Sequence, residues 1–162
     1  MKYVLDSNVF IQAKNQYYTF DLCPGFWKWL ESFSISNSVL SVEGVREELA
    51  AGSDELAEWA KRLDKKHFIP HGIEVQSEYR KIVNHVNDKY KKQEHVSAFL
   101  SKADPWLIAS AMYKNLTIVT HEQPSPNSHK IKIPNICKHF NVPFIDTFEL
   151  LIKEKVTFIL HE

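Results

Sequence analysis

Residues 2–8 read Lys-Tyr-Val-Leu-Asp-Ser-Asn, a short apolar run that stops at a carboxylate and continues in small polar residues. That is the pattern of a buried strand with a polar C-terminal end. The form recurs at Val39–Ser41 and at Thr117–Thr120, and the stretch NVPFID supplies a fourth run ending at Asp146. Between these runs the apolar residues fall at helical spacing: Phe26, Trp29, Leu30 and Phe33, then Val45 and Leu49, then Leu56, Trp59, Ala60 and Leu63. Pro105 to Tyr113 is apolar all round, as in a helix buried between neighbours, whereas the charged stretch RKIVNHVNDKYKKQE (80–94) reads as a solvated helical pair. Strands alternating with helices predict a three-layer α/β/α sandwich with a central, mostly parallel sheet, whose sites lie beyond the carboxyl ends of the strands.

A chain of 162 residues that is 44% hydrophobic buries one sizeable core, so we expect a single domain over 1–162. Lys and Arg together number 20, as do Asp and Glu, so there is no global basic field and any nucleic-acid contact must be local. Cys23 and Cys137 are too few for a disulfide framework and lack zinc-site spacing, so both are expected as buried free thiols. The N-terminus reads as a strand rather than a signal peptide, and no apolar run approaches the roughly 20 residues of a membrane helix, which points to the cytoplasm.

Four carboxylates follow from the expected strand ends and helix starts. Asp6, directly after an apolar run, is either a helix N-cap or a charge that needs a bound partner, and Ser7 and Asn8 are alternative caps or donors orienting it. Asp104 precedes Pro105, which suits an N-cap followed by an N1 proline as well as a cation ligand. In VEGVREELA, Glu48 flanks the Val45/Leu49 face and is a better inward candidate than Glu43 or Glu47. Glu122 follows the strand TIVT, on the edge expected for Asp6. Converging carboxylates repel unless cations join them, and oxygen-only ligation suits Mg²⁺ or Mn²⁺ rather than zinc.

The segments YVLDSNVFI, VREEL, ADPWLIASA and IVTHE, in this order, resemble the motifs of the PIN-domain family, in particular its small prokaryotic branch related to VapC-type toxins. With CPGFWKWL and KIKIPNIC, the chain also resembles a PIN-like family carrying a domain-of-unknown-function label. The resemblance spans residues 2–152 and places the family's acids at Asp6, Glu48, Asp104 and Glu122, with its strand-end threonine at Thr120. The fourth acid departs from the usual aspartate. The resemblance implies a PIN-like fold, a Mg²⁺- or Mn²⁺-dependent ribonuclease leaving 5′-phosphate and 3′-hydroxyl ends, a cognate antitoxin partner and a possible homodimer. His121 is a candidate proton donor to the leaving oxygen, or an incidental loop histidine. Lys130 and Lys132, in the loop after Glu122, are either RNA-phosphate contacts or solvated residues.

Two rival readings are weighed beside it. A haloacid-dehalogenase-type phosphatase also keeps an aspartate after its first strand but needs an acid two residues later, where this chain has Asn8. A PIN-like module without catalysis, serving as scaffold or toxin–antitoxin partner, is opposed by the four retained acids.

Overall fold

The computed structural model describes residues 2–37 and 39–159, so the outermost positions of the expected 1–162 domain lie outside the described residues. The chain runs β1 (Tyr3–Leu5), α1 (Ser7–Gln12), a π-helical turn (Ala13–Tyr17), α2 (Pro24–Ser36), β2 (Ser41–Val42), α3 (Glu43–Ala50), α4 (Glu55–Arg62) and β3 (Phe68–Ile69). It continues with α5 (Ile73–Lys89), α6 (Gln93–Leu100), α7 (Asp104–Lys114), β4 (Thr117–Val119), α8 (Ile133–Phe140), β5 (Phe144–Ile145) and α9 (Thr147–Lys153).

All strand pairing is parallel. β4 lies between β1 and β5, with Leu5 opposite Val119 and Val119 opposite Ile145. β2 pairs with β3. The two sheets meet because the Leu5 N–H donates to the Leu40 carbonyl and the Ser41 hydroxyl donates to the Leu5 carbonyl. The spatial order is therefore β3-β2-β1-β4-β5. The chain winds outward from β1 to one side and then restarts on the other at β4, which makes the β1/β4 boundary the point where the strand order reverses. In open parallel sheets such a boundary opens a crevice at the carboxyl ends.

The strands are short and apolar because they are covered on both faces. Val4, Leu5, Ile118 and Val119 are fully buried. α7 packs against α5, α6 and α8, whereas α3 packs against α1 and α4, so the helices form two groups about the sheet as the three-layer arrangement requires. The buried apolar side chains form one contiguous cluster spanning β1 to α9.

The structure corrects several expectations. In α2 the buried tryptophan is Trp27, with Trp29 only partly covered. β3 is a two-residue strand with too little alternation to read. The stretch 80–94 is not merely solvated, because α5 buries Val75, Ile82 and Val86 and packs on α7. Both cysteines are free, but Cys23 is only half-buried. Among the described residues no helix is long and apolar enough to cross a membrane.

Three helices share one ending. Asn115, Asn141 and Lys155 adopt left-handed backbone (φ 53°, 56° and 53°), and the next N–H, of Leu116, Val142 and Val156, bonds back to Ala111, Cys137 and Leu151. This left-handed stop with an apolar residue after it is the Schellman pattern. It turns α7 and α8 directly into the residues that lead to β4 and β5.

Candidate metal centre

Ladder bonds fix the first acid. The Asp6 N–H donates to Val119 and the Thr120 N–H to Ile145, so Asp6 and Thr120 stand side by side at the carboxyl edge where the strand order reverses. The Thr120 hydroxyl donates to Asp6 Oδ2 at 2.8 Å and accepts from the Glu122 N–H (3.1 Å) and Asn8 Nδ2 (3.3 Å). Asn8 Oδ1 accepts from the His121 N–H at 3.1 Å. One threonine hydroxyl thus ties β1, α1 and the loop after β4 together. Ser7 Oγ is 3.4 Å from Asp6 Oδ1, a marginal contact.

Neither aspartate side chain makes a capping hydrogen bond. Asp6 occupies the position before α1 with its side chain making no capping bond, and Asp104 is the first residue of α7, behind Ala103. The capping alternative therefore fails for both. Asp6 is 2% exposed, which leaves its charge unexplained by solvent. Burial first, then the charge of Asp104, push the Asp6 carboxyl up to about 7 despite the Thr120 hydrogen bond. Burial and the charges of Glu122 and Glu48 push Asp104 up to about 6, opposed by Lys102.

The glutamates reach the same place from two sides. Glu48 is exposed, yet its Oε1 accepts from the Ala103 N–H at 2.9 Å, which places it against the start of α7 beside Asp104. Glu43 and Glu47 are solvated and make no such bond. Glu122 Oε2 accepts from the Ile133 N–H at 2.8 Å, at the first turn of α8. Its extra methylene relative to aspartate accounts for this reach. The thiol of Cys137, fully buried in α8, is pushed up to about 12 by burial and then by the charge of Glu122.

None of the four acids is in an ion pair among the described residues. Nor do any three His, Cys, Asp or Glu side chains among those residues group so that together they could hold a metal ion. Of the four acids, Asp104 and Glu122 line an open cleft. Its chemistry suits a hard divalent ion of the Mg²⁺ class, which keeps several waters and takes one or two carboxylates rather than a full protein cage.

His121 is turned away from the acids: its Nε2 is 2.8 Å from Thr147 Oγ1, its ring packs on Phe148, and burial lowers its pKa. It serves the site through its backbone N–H, so the proton-donor expectation is not supported by the ring's position. Asn8, with both ends of its amide committed, has no proton to give where a haloacid-dehalogenase-type reaction needs one.

Beside the acids lies a cleft of about 420 Å³ lined by Asp104, Glu122, Lys102, Lys130, Lys132 and His95, among others. Lys130 and Lys132 thus lie by the site as the sequence suggested. Lys102 and His95 were missed. Lys102 directly precedes the Ala103-Asp104 motif, which is a usable signal; His95 has none, because only folding brings α6 to the loop.

A family model described as "Domain of unknown function (DUF4411)" matches residues 3–158. No curated protein and no solved structure matches the chain.

Proposed function

This chain belongs to the DUF4411 family, whose description assigns no activity, and on the geometry of its carboxylates we propose that it is a divalent-metal-dependent ribonuclease of PIN type. The observation that carries this reading is the pair Asp6 and Asp104: two largely buried carboxylates, the charge of Asp104 raising the pKa of Asp6, at the crevice where the strand order reverses, with neither in an ion pair among the described residues. Such an arrangement is costly unless a ligand of opposite charge joins them. Perturbed carboxylates of this kind concentrate at functional sites.

In this reading Asp6 and Asp104 hold Mg²⁺ or Mn²⁺, with Glu48 and Glu122 completing the negative rim. The ion when bound supplies an activated water for attack on a phosphodiester and neutralises charge on the phosphate. The chain's own part is positional. Thr120 fixes one oxygen of Asp6, the Ala103 N–H fixes one oxygen of Glu48, and the first turn of α8 fixes one oxygen of Glu122. Among the described residues the second oxygen of each glutamate has no hydrogen-bond partner, which leaves it to the ion or its waters.

One observation favours a second reading, a PIN-like module without catalysis: no three ligating groups close on a common point among the described residues. Incubating the protein with mixed RNA and Mn²⁺ separates the two. We expect cleavage that stops in excess EDTA and in the Asp104→Asn protein; cleavage that persists in either would falsify the metal mechanism. The role as the toxin of a toxin–antitoxin pair, in the cytoplasm and with a protein partner or a second copy bound, is part of the same proposal. A small antitoxin-like reading frame beside the gene, whose product blocks the cleavage, is the expected sign of it.

A further inference from the structure

We infer that Gly44 and the His71–Trp106–Tyr79 ring stack are a positioning device: together they fix the contact between α3 and the start of α7 that sets Glu48 beside Asp104. The inference rests on the metal-centre reading for its purpose, and on the packing alone for its existence. Gly44 and Glu48 stand one turn apart on the same face of α3. Both meet Ala103. The Ala103 N–H donates to Glu48 Oε1 at 2.9 Å, while a Cβ added at Gly44 would be 3.2 Å from the Ala103 Cβ and 3.5 Å from its Cα. A methyl group there fits only if α3 and α7 move apart by a few tenths of an ångström. Glycine thus lets the helix backbone lie directly on the buried Ala103, with the Glu48 carboxylate in reach of its N–H.

Three rings wall the same contact. Trp106, two residues after Asp104, has its ring centroid 4.0 Å from that of His71 and 4.0 Å from that of Tyr79, with the planes tilted by 13° and 17°. Two rings that close and that nearly parallel to one indole take its opposite faces. His71 comes from the loop after β3 and Tyr79 from α5, so the stack ties the first turn of α7 to two further elements. His71 also closes on the glycine, its Nε2 lying 3.6 Å from the position of that added Cβ. The nitrogen is buried without a hydrogen-bond partner among the described residues. An unpaired buried polar atom costs stability, so the ring is kept in place by its stack and its fit against Gly44, not by a polar bond. From the other flank the Tyr79 hydroxyl reaches the Leu100 carbonyl at 3.4 Å. Residues 100–106, which include Ala103 and Asp104, are therefore held from α3, from the loop after β3 and from α5. Looseness of about 1 Å is enough to spoil a ligand site. The glycine and the three rings act on the centre only through Glu48 and Asp104.

Three variants of the whole chain test this: Gly44→Ala, Trp106→Ala and Trp106→Phe. For each, the urea midpoint and the Ala103 amide resonance are measured in EDTA, and Mn²⁺ affinity by electron paramagnetic resonance of the free ion. Gly44→Ala is expected to stay folded, because alanine is otherwise the better helix residue, while its Ala103 amide shifts and exchanges faster and its Mn²⁺ affinity drops several-fold. Trp106→Ala should show the same two changes at a lower midpoint. Trp106→Phe, which keeps a ring between His71 and Tyr79, should restore both. A role in folding alone moves the midpoint and leaves the amide and the Mn²⁺ affinity of the folded protein as in wild type; that result in Gly44→Ala and Trp106→Ala overturns the inference and keeps the metal reading. A Trp106→Phe protein that loses as much affinity as Trp106→Ala overturns the ring stack as the device, and a displaced amide with full Mn²⁺ affinity overturns its service to the centre. Wild-type protein that binds no Mn²⁺, with the amide changes as expected, would leave the positioning of Glu48 standing and remove the metal reading.

Discussion

At the scale of single residues, Thr120 and Asp6 carry the most consequence. Thr120→Val keeps the shape of the side chain but takes a hydrogen bond from Asp6 and an acceptor from both the Glu122 N–H and Asn8. Leaving buried polar groups unpaired costs about 1–3 kcal/mol each, so the variant should unfold at clearly lower denaturant, with Thr120→Ser close to wild type. A denaturant midpoint for Thr120→Val equal to wild type would remove the hub from the account. The Asp6 carboxyl rises from 3.8 to about 7 on folding, so the metal-free folded state binds this proton more tightly than the unfolded chain. Its contribution to stability is complete below pH 3.8 and is lost as pH rises through about 7. Melting curves in EDTA should therefore show stability falling as pH rises from 3.8 to about 7, and Asp6→Asn should flatten that slope; an equal slope in the variant would mean another group carries it. Asp6 and Asp104 were legible in the sequence because a carboxylate ending an apolar run, or opening an apolar helix, is chemically conspicuous. Their alternative as caps was equally legible, and only the folded structure removed it: the Asp6 side chain makes no capping bond and Asp104 lies inside α7. His95, the bond from the Ser125 N–H to Asn135 and the hold of Glu122 on α8 depend on which distant element packs beside which, and no local pattern encodes that.

At the scale of elements, legibility follows length and periodicity. β1, β4 and the apolar α7 were readable because each presents a contiguous apolar signal bounded by polar residues. β3, a two-residue strand directly after a 3-10 turn at Lys65–His67, carried none, and the long α5 looked solvated because only one narrow stripe of it, Val75, Ile82 and Val86, is buried. The helix stops at Asn115 and Asn141 were also present in the sequence as Asn followed by an apolar residue. Lys155 does the same work with a residue ill suited to it, since left-handed backbone costs a non-glycine residue about 1–2 kcal/mol. Lys155→Gly should therefore raise stability by up to about 1 kcal/mol, the glycine's greater freedom in the unfolded chain offsetting part of the gain. Asn141→Ala, in the same backbone state between α8 and β5, should lower it by a similar amount. The pair is read by chemical denaturation, and a loss of stability in Lys155→Gly would show that the lysine side chain contributes more than its backbone strain costs.

At the scale of the molecule, the candidate centre joins parts of the chain that are remote in sequence: the end of β1, the middle of α3, the start of α7 and the loop after β4. Without a cation, their carboxylates oppose the packing that the core imposes, and a cation that links them favours only the folded arrangement. A ligand with that property stabilises by RT ln(1 + [L]/Kd), about 2.7 kcal/mol at a hundredfold excess over Kd. For a chain of this size that corresponds to a rise in melting temperature of roughly 5–10 °C. Asp6→Asn and Asp104→Asn each remove one like charge and one ligand. Each should melt at or above the wild-type temperature in EDTA and gain little from Mn²⁺. Loss of a helix cap does not confound the comparison, because neither side chain makes a capping bond. A non-ligating module predicts a different pattern, with no Mn²⁺ shift in the wild type, while a metal site elsewhere predicts the same shift in all three proteins. Melting curves of the three proteins in EDTA and in Mn²⁺ distinguish these cases, and an undiminished shift in both variants would sink the assignment of Asp6 and Asp104 to one shared centre.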